Sequence, residues 1–141
     1  MLIVRKPTFE TEGQWFKFRL RGEEVELKIR PLAIDVYNKI RKAHKTIKLE
    51  RDPQTKQAIK TEVFDEESIT EDLLDYLLED FKGFGSDVNT PLEITKENKK
   101  LIFEIPSASD EEMSMFDFVF TKAKDIAALS EEAFIRQEKN L

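Results

Sequence analysis

QWFKFRLRGEEVELKIR, residues 14–30, is the stretch on which the fold turns. Phe16, Phe18 and Leu20 recur at every second position, and Val25, Leu27 and Ile29 do so again after Arg21-Gly22-Glu23-Glu24. Between them stand Lys17, Arg19 and Arg21 on the first run, and Glu24, Glu26 and Lys28 on the second. Successive side chains of a strand point to opposite faces, so this alternation reads as a β-hairpin with one apolar and one wet face. Lys and Arg opposite Glu on the wet face add a few tenths to ~1 kcal/mol per pair. A lone hairpin is marginal in water, so its apolar face must pack on another part of the chain, and the candidates are helices.

Downstream, Pro31-Leu32 closes the hairpin and residues 33–45 read as a helix, with Ile34, Tyr37, Ile40 and His44 on one stripe. Residues 46–64 change character: TIKLE and AIKTEVF flank Arg51-Asp52-Pro53-Gln54-Thr55, whose Asp-Pro signals a turn. They read as a second, weaker hairpin or a floppy excursion. Ser68-Ile69-Thr70-Glu71 has the form of a capping box, and Ile69, Leu73, Leu77 and Phe81 follow at every fourth position, which predicts a helix stopped by Gly83. Thr95 caps a short helix carrying Leu101, Ile102 and Ile105 and ended by Pro106. Ser109-Asp110-Glu111-Glu112 opens another, carrying Met113, Phe116, Val119, Phe120, Ala123, Ile126 and Ala127, with a last turn starting at Ser130. The expected fold is α+β: an N-terminal β-hairpin packed on a helical body of about four helices, with the weak hairpin at 46–64, in one domain over residues 1–141.

Composition narrows the function classes. The 141 residues carry a formal charge of −6, which argues against a nucleic-acid partner, since phosphate backbones call for a basic face. There is no Cys, so neither a disulfide frame nor thiolate chemistry is open to the chain. No segment approaches the ~20 apolar residues of a membrane span, and MLIVRKPTFETEG holds too short an apolar run for a signal peptide, so no membrane partner is expected. Eleven Phe in so small a chain are hard to bury completely, which leaves some of them for a partner.

The sites with catalytic potential each read more simply as structure. His44, the one histidine, stands among Arg41, Lys42 and Lys45 at a helix end, where a cation favours the helix dipole. The acids of 65–80 are spaced as the solvated face of an amphipathic helix. Asp87-Val88-Asn89 lacks the ligand spacing of a calcium loop and reads as a turn stiffened by Pro91. Phosphate-cradling loops and nucleophile elbows are absent from the sequence, so no enzyme activity and no cofactor or metal are expected. The partner-binding candidates are aromatic and Met side chains: Met115 and Phe118, which lie off the stripe assigned to Phe116 and Phe120, together with Phe84 and Phe134. Phe118 or Met115, or both, are expected to contribute to an exposed apolar patch used for partner or self-association.

A set of soft motifs then points to a family. Arg30-Pro31-Leu32 ends a charged strand, Phe81-Lys82-Gly83 ends an acidic helix, and Asp87, Pro91 and Leu92 punctuate the loop after it. Thr95, Glu97 and Asn98 open the next helix, and Glu138-Lys139-Asn140 lies in a charged tail. In this order of elements the chain resembles the tail assembly chaperones of long-tailed bacteriophages. It departs from them in having Phe81 where Trp is common, and Asn89-Thr90 where a Gly is usual. The resemblance implies a non-enzymatic protein of the bacterial cytoplasm that coats the tape-measure protein, helps recruit tail-tube protein and is absent from the finished virion. It also leaves room for a homo-oligomer, and for a longer form made by a −1 frameshift, because Glu-Lys-Asn can be encoded as GAA-AAA-AAC. The competing readings are a minor tail or tail-completion protein retained in the particle, and a small host regulatory protein or enzyme. Without the resemblance, the residues say only that this is an α+β interaction domain.

Overall fold

The computed structural model describes residues 12–109 and 112–139, with backbone alone from residue 130 on. Strands β1 (Gln14–Leu20) and β2 (Glu23–Ile29) pair antiparallel, with Phe18 opposite Val25 and Phe16 opposite Leu27. The alternating apolar face is the inner one: Phe18, Leu20, Val25, Leu27 and Ile29 are buried. On the wet face Lys17 opposes Glu26 and Arg19 opposes Glu24. The turn is tighter than the four residues read from sequence. Leu20 opposes Glu23, so Arg21-Gly22 alone reverse the chain, both with positive φ (52° and 83°). A two-residue turn of that hand matches the twist of the strands, and it holds Arg21 in a conformation that costs an ordinary L-residue energy.

Helix α1 (Ile34–Ala43) follows as expected, although Ile34 itself is exposed and only Tyr37 and Ile40 reach the core. Strands β3 (Lys45–Arg51) and β4 (Ala58–Phe64) form the second hairpin. Asp52 shapes its turn by accepting the Gln54 N–H at 2.9 Å. This two-stranded sheet is separate from the first. It is tied at its base by Asp65 N–H donating to His44 O (3.1 Å) and by Arg41 over the Phe64 ring (4.2 Å).

Helix α2 (Glu66–Leu77) starts earlier and ends earlier than the capping-box and period-four readings predict. Its cap is Asp65, which accepts from Ser68 N–H, so Ser68 lies inside the first turn. After Leu77 the chain changes to strand β5 (Leu78–Lys82), paired antiparallel to β2. The physical cause is the outer edge of β2, whose backbone N–H and C=O groups need partners once that strand is buried. Ile29 opposes Leu78 and Leu27 opposes Phe81, which leaves Glu79 as the extra residue of a bulge. The bulge resets the alternation, so Leu78 and Phe81, three residues apart, both face the core. An apolar spacing that suits a helix thereby serves a strand. Gly83 does adopt positive φ (95°), but at a strand exit, where a Cβ would stand 3.3 Å from Val25 Cα.

The Arg-Pro-Leu motif clamps this junction. The Arg30 guanidinium donates to Tyr76 O at the end of α2 (3.0 Å) and to Glu79 Oε1 (3.2 Å), while Lys28 Nζ lies 2.8 Å from Glu79 Oε2. Leu32 N–H donates to Ala123 O (3.0 Å), docking the strand exit on the last helix.

Helix α3 (Lys96–Phe103) is capped by Thr95 as read, its Oγ1 accepting from Asn98 N–H at 3.1 Å. Helix α4 (Met115–Lys139) begins later than the Ser109–Glu112 motif predicts, with Ser114 Oγ accepting from Asp117 N–H at 3.2 Å. The Glu112 carboxylate is engaged elsewhere, accepting from the N–H groups of Arg21 (3.2 Å) and Ala108 (3.0 Å). Asp110 and Glu111 lie outside the described residues, as do Asn140 and Leu141. Met113 precedes the helix and is exposed, and the separate turn expected at Ser130 is a continuation of α4. Among the described residues the protein is thus α+β, with a three-stranded sheet in the order β1-β2-β5, a two-stranded ribbon and four helices. No helix among them is long and apolar enough to cross a membrane.

The strained turn gives a direct test. Arg21→Asn retains the charge-independent backbone bond to Glu112 and places at φ 52° a residue that tolerates it. The expected gain is about 1 kcal/mol, read as a rise of a few degrees in Tm. An unchanged or lower Tm contradicts the turn geometry.

Candidate partner-binding groove

Helix α3 is short, and its grip on α2 comes from three lysines. Lys96, Lys99 and Lys100 are spaced i, i+3, i+4 and so share one face, opposite Glu71, Asp72 and Asp75 of α2. Lys100 Nζ meets Glu71 Oε1 at 2.9 Å, and Lys96 pairs with Asp72. Lys99, buried despite its charge, donates both to the Asp75 carboxylate (3.1 Å) and to Asp75 O (2.9 Å). The acids that read as a solvated face therefore bind a neighbouring helix. The spacing of the lysines was the available signal.

Asp72 is the centre of this seam. It also takes His44 Nε2 at 2.5 Å, so the histidine at the end of α1 meets a carboxylate that the sequence reading did not assign to it. Lys96 above all, and His44 after it, hold the Asp72 carboxyl below its usual range. Glu79 is likewise lowered, chiefly by Lys28. The arrangement stitches α1, α2 and α3 together.

Between α2, α3 and α4 this stitching leaves an open groove of about 410 Å³. Leu74, Phe103 and Phe116 form its apolar floor, and Glu71, Asp75, Lys96 and Lys100 its charged rim. Phe116 is 39% exposed and stacks on Phe120, ring centroids 4.9 Å apart. The sequence reading put these two phenylalanines at the centre of the core stripe and Met115 with Phe118 outside it. The structure reverses the assignment for Met115 and Phe116, while Phe118 and Phe120 are both half-buried against the core. Met115, Val119, Ala123 and Ile126 are the buried line of α4, with Met115 2% exposed. Phe118 is half-buried, its ring 4.7 Å from Phe18 and edge-on to Phe16 at 6.5 Å. The reason is that α4 is apolar around most of its circumference at this end, and the hairpin's own phenylalanines select which side turns inward. Met115 is thus inside the body, and of the two Phe118 alone is left partly exposed.

Phe84 is half-buried and edge-on to Phe81 at 5.6 Å. The side chain of Phe134 lies outside the described residues. Asp87 shapes a turn as read, its carboxylate accepting from Asn89 N–H (2.8 Å) and Thr90 Oγ1 (3.2 Å). Of the three candidates whose side chains are described, Met115 is buried, Phe118 lies against Phe18 and Phe84 against Phe81. Phe116, Leu74 and Phe103 are the side chains that converge.

No protein-family model, curated protein or solved structure matches this chain.

Two outcomes follow from this geometry. Met115→Ala empties a core position and is expected to cost about 2–5 kcal/mol, whereas Phe116→Ala costs about 1 kcal/mol or less. Urea midpoints measure both, and equal losses contradict the helix phase. Because Asp72 and Glu79 have lowered folded-state pKa values, their contribution is complete above their unfolded values of 3.8 and 4.5. It disappears as pH falls through the lower, folded-state values. Tm plotted against pH is expected to fall in acid less steeply for Glu79→Gln than for wild type.

Proposed function

We propose that this protein is a tail assembly chaperone of a long-tailed phage or prophage, non-enzymatic, and that the α2–α3–α4 groove holds an amphipathic helix of the tape-measure protein. The observation that carries the reading is the groove itself: an apolar floor of Leu74, Phe103 and Phe116 inside a rim bearing both signs of charge. An amphipathic helix presents apolar side chains along one stripe with charges beside it, and helix-in-groove binding matches those two patterns. The charged rim gives orientation, while the modest apolar floor keeps the grip reversible, as a chaperone that must release its client requires. A tape-measure protein awaiting assembly is a long helical chain with apolar surface exposed, which aggregates unless it is covered. The soft sequence motifs, most specific over the last two-thirds of the chain, support the family, and recruitment of tail-tube protein and action in the bacterial cytoplasm come with it.

Co-expression tests the reading. Wild type is expected to keep the tape-measure protein soluble, and Phe116→Asp to lower the soluble fraction several-fold while remaining folded. Mass spectrometry of purified virions is expected to find the chain absent. Its presence in the particle would instead identify a minor tail or tail-completion protein.

A further inference from the structure

The β3–β4 ribbon leaves a large part of its apolar content in water. Ile47, Leu49, Ile59 and Val63 are between 45% and 66% exposed, on a hairpin tied to the described body at its base. A two-stranded ribbon in that state is marginal. Its edges carry charged side chains but neither a bulge nor a proline. The seven residue pairs run without a register shift, so no bulge twists the edge away, and the one proline of this region, Pro53, is in the turn.

The hydrogen-bond pattern determines which groups the β4 edge presents. Asp52 N–H donates to Gln57 O at one end of the ladder, and Asp65 N–H donates to His44 O at the other. Bonded and non-bonded pairs alternate between these ends in an antiparallel ladder. The backbones of Ile59, Thr61 and Val63 therefore point to β3, and those of Ala58, Lys60 and Glu62 point to the open edge. Side chains alternate as well, with Ile59, Thr61 and Val63 on one face and Lys60 and Glu62 on the other.

We propose that β4 is a homodimerisation edge, pairing antiparallel with β4 of a second copy about a two-fold axis at Thr61. AIKTEVF is self-complementary in that register. Lys60 opposes the partner's Glu62, and Glu62 opposes the partner's Lys60. Ile59 opposes the partner's Val63, and Thr61 opposes itself. The outward N–H and C=O groups of Lys60 and Glu62 are those that such a pairing bonds, so hydrogen bonding and charge select the same register. Shifting the axis to Lys60 or Glu62 sets like charges against each other. The β3 edge is not equivalent: full-length self-pairing of KTIKLER opposes Lys48 to itself and Lys45 to Arg51. The result is a four-stranded sheet, β3-β4-β4-β3, in which Ile59 and Val63 of both copies join into one branched apolar strip. The interface is closed by its symmetry and small, which places it among reversible associations. It is independent of what the groove holds.

Complementation of charge tests the proposal on the full chain. Wild type is expected to show a concentration-dependent monomer–dimer equilibrium in sedimentation velocity. Lys60→Glu alone and Glu62→Lys alone each set two like-charge pairs across the axis and are expected to weaken the dimer about tenfold or more. Mixed together, the two variants form a heterodimer with both pairs restored, and dimer is expected to return. Because the chain has no cysteine, Thr61→Cys adds a second readout. Facing non-bonded residues in an antiparallel pair lie close enough for a disulfide. Oxidation is expected to cross-link Thr61→Cys far faster than Lys48→Cys. A wild type that is monomeric throughout, a dimer that both single variants leave intact, a mixture that stays monomeric, or equal cross-linking rates would each overturn the proposal.

Discussion

Strand β2 is buried along its inner face and paired along both edges, and the rest of the body depends on that double pairing. β1 takes one edge through a two-residue turn, and β5 takes the other after the bulge at Glu79. Leu27 and Ile29 are fully buried beneath this three-stranded sheet. A central strand with one edge open would leave backbone groups without partners beside a dry core, which costs several kcal/mol for each group. That cost drives the change from helix to strand after Leu77.

The bulge carries charge as well as geometry. Glu79 leaves the alternation and turns toward Lys28 and Arg30, and Arg30 in turn binds the last carbonyls of α2. One carboxylate thus holds the sheet edge while one guanidinium ties that edge to the helix before it. The same division appears at the α2–α3 seam. Asp72 joins His44 and Lys96 there, and a helix of eight residues is held by its lysines as much as by Ile102. Short helices are marginal alone, so α3 depends on these contacts for its existence. The groove is the space left between α2 and α3, which charge has brought together, and α4, which apolar packing holds beside them.

Among the described residues, the groove and the β3–β4 ribbon are two surfaces that the packing of the body leaves open. The groove has a built rim and floor, whereas the β3–β4 ribbon has, among the described residues, unpaired edges and branched side chains on both faces. They lie on different elements, so the proposed holding of a client and the proposed pairing with a second copy are separable, each with its own residues.

The sequence by itself determined what local rules govern. Period-two alternation over 16–20 and 25–29 named the hairpin and its inner face, because a one-residue slip would turn every apolar side chain to water. Thr95 named the start of α3, and Asp52-Pro53 the second turn, because each acts on the backbone within a few residues. Tertiary structure decided the rest. Leu73, Leu77 and Phe81 suit a helix, yet Phe81 went to a strand, because an edge more than fifty residues away in sequence needed a partner. Met115 and Phe116 are adjacent on an α4 apolar on several sides, and only the shape of the hairpin's phenylalanines chose which faced inward. The groove was illegible for the same reason. Its floor comes from three helices whose relative placement no local pattern encodes, since burial is settled by the neighbour a side chain meets.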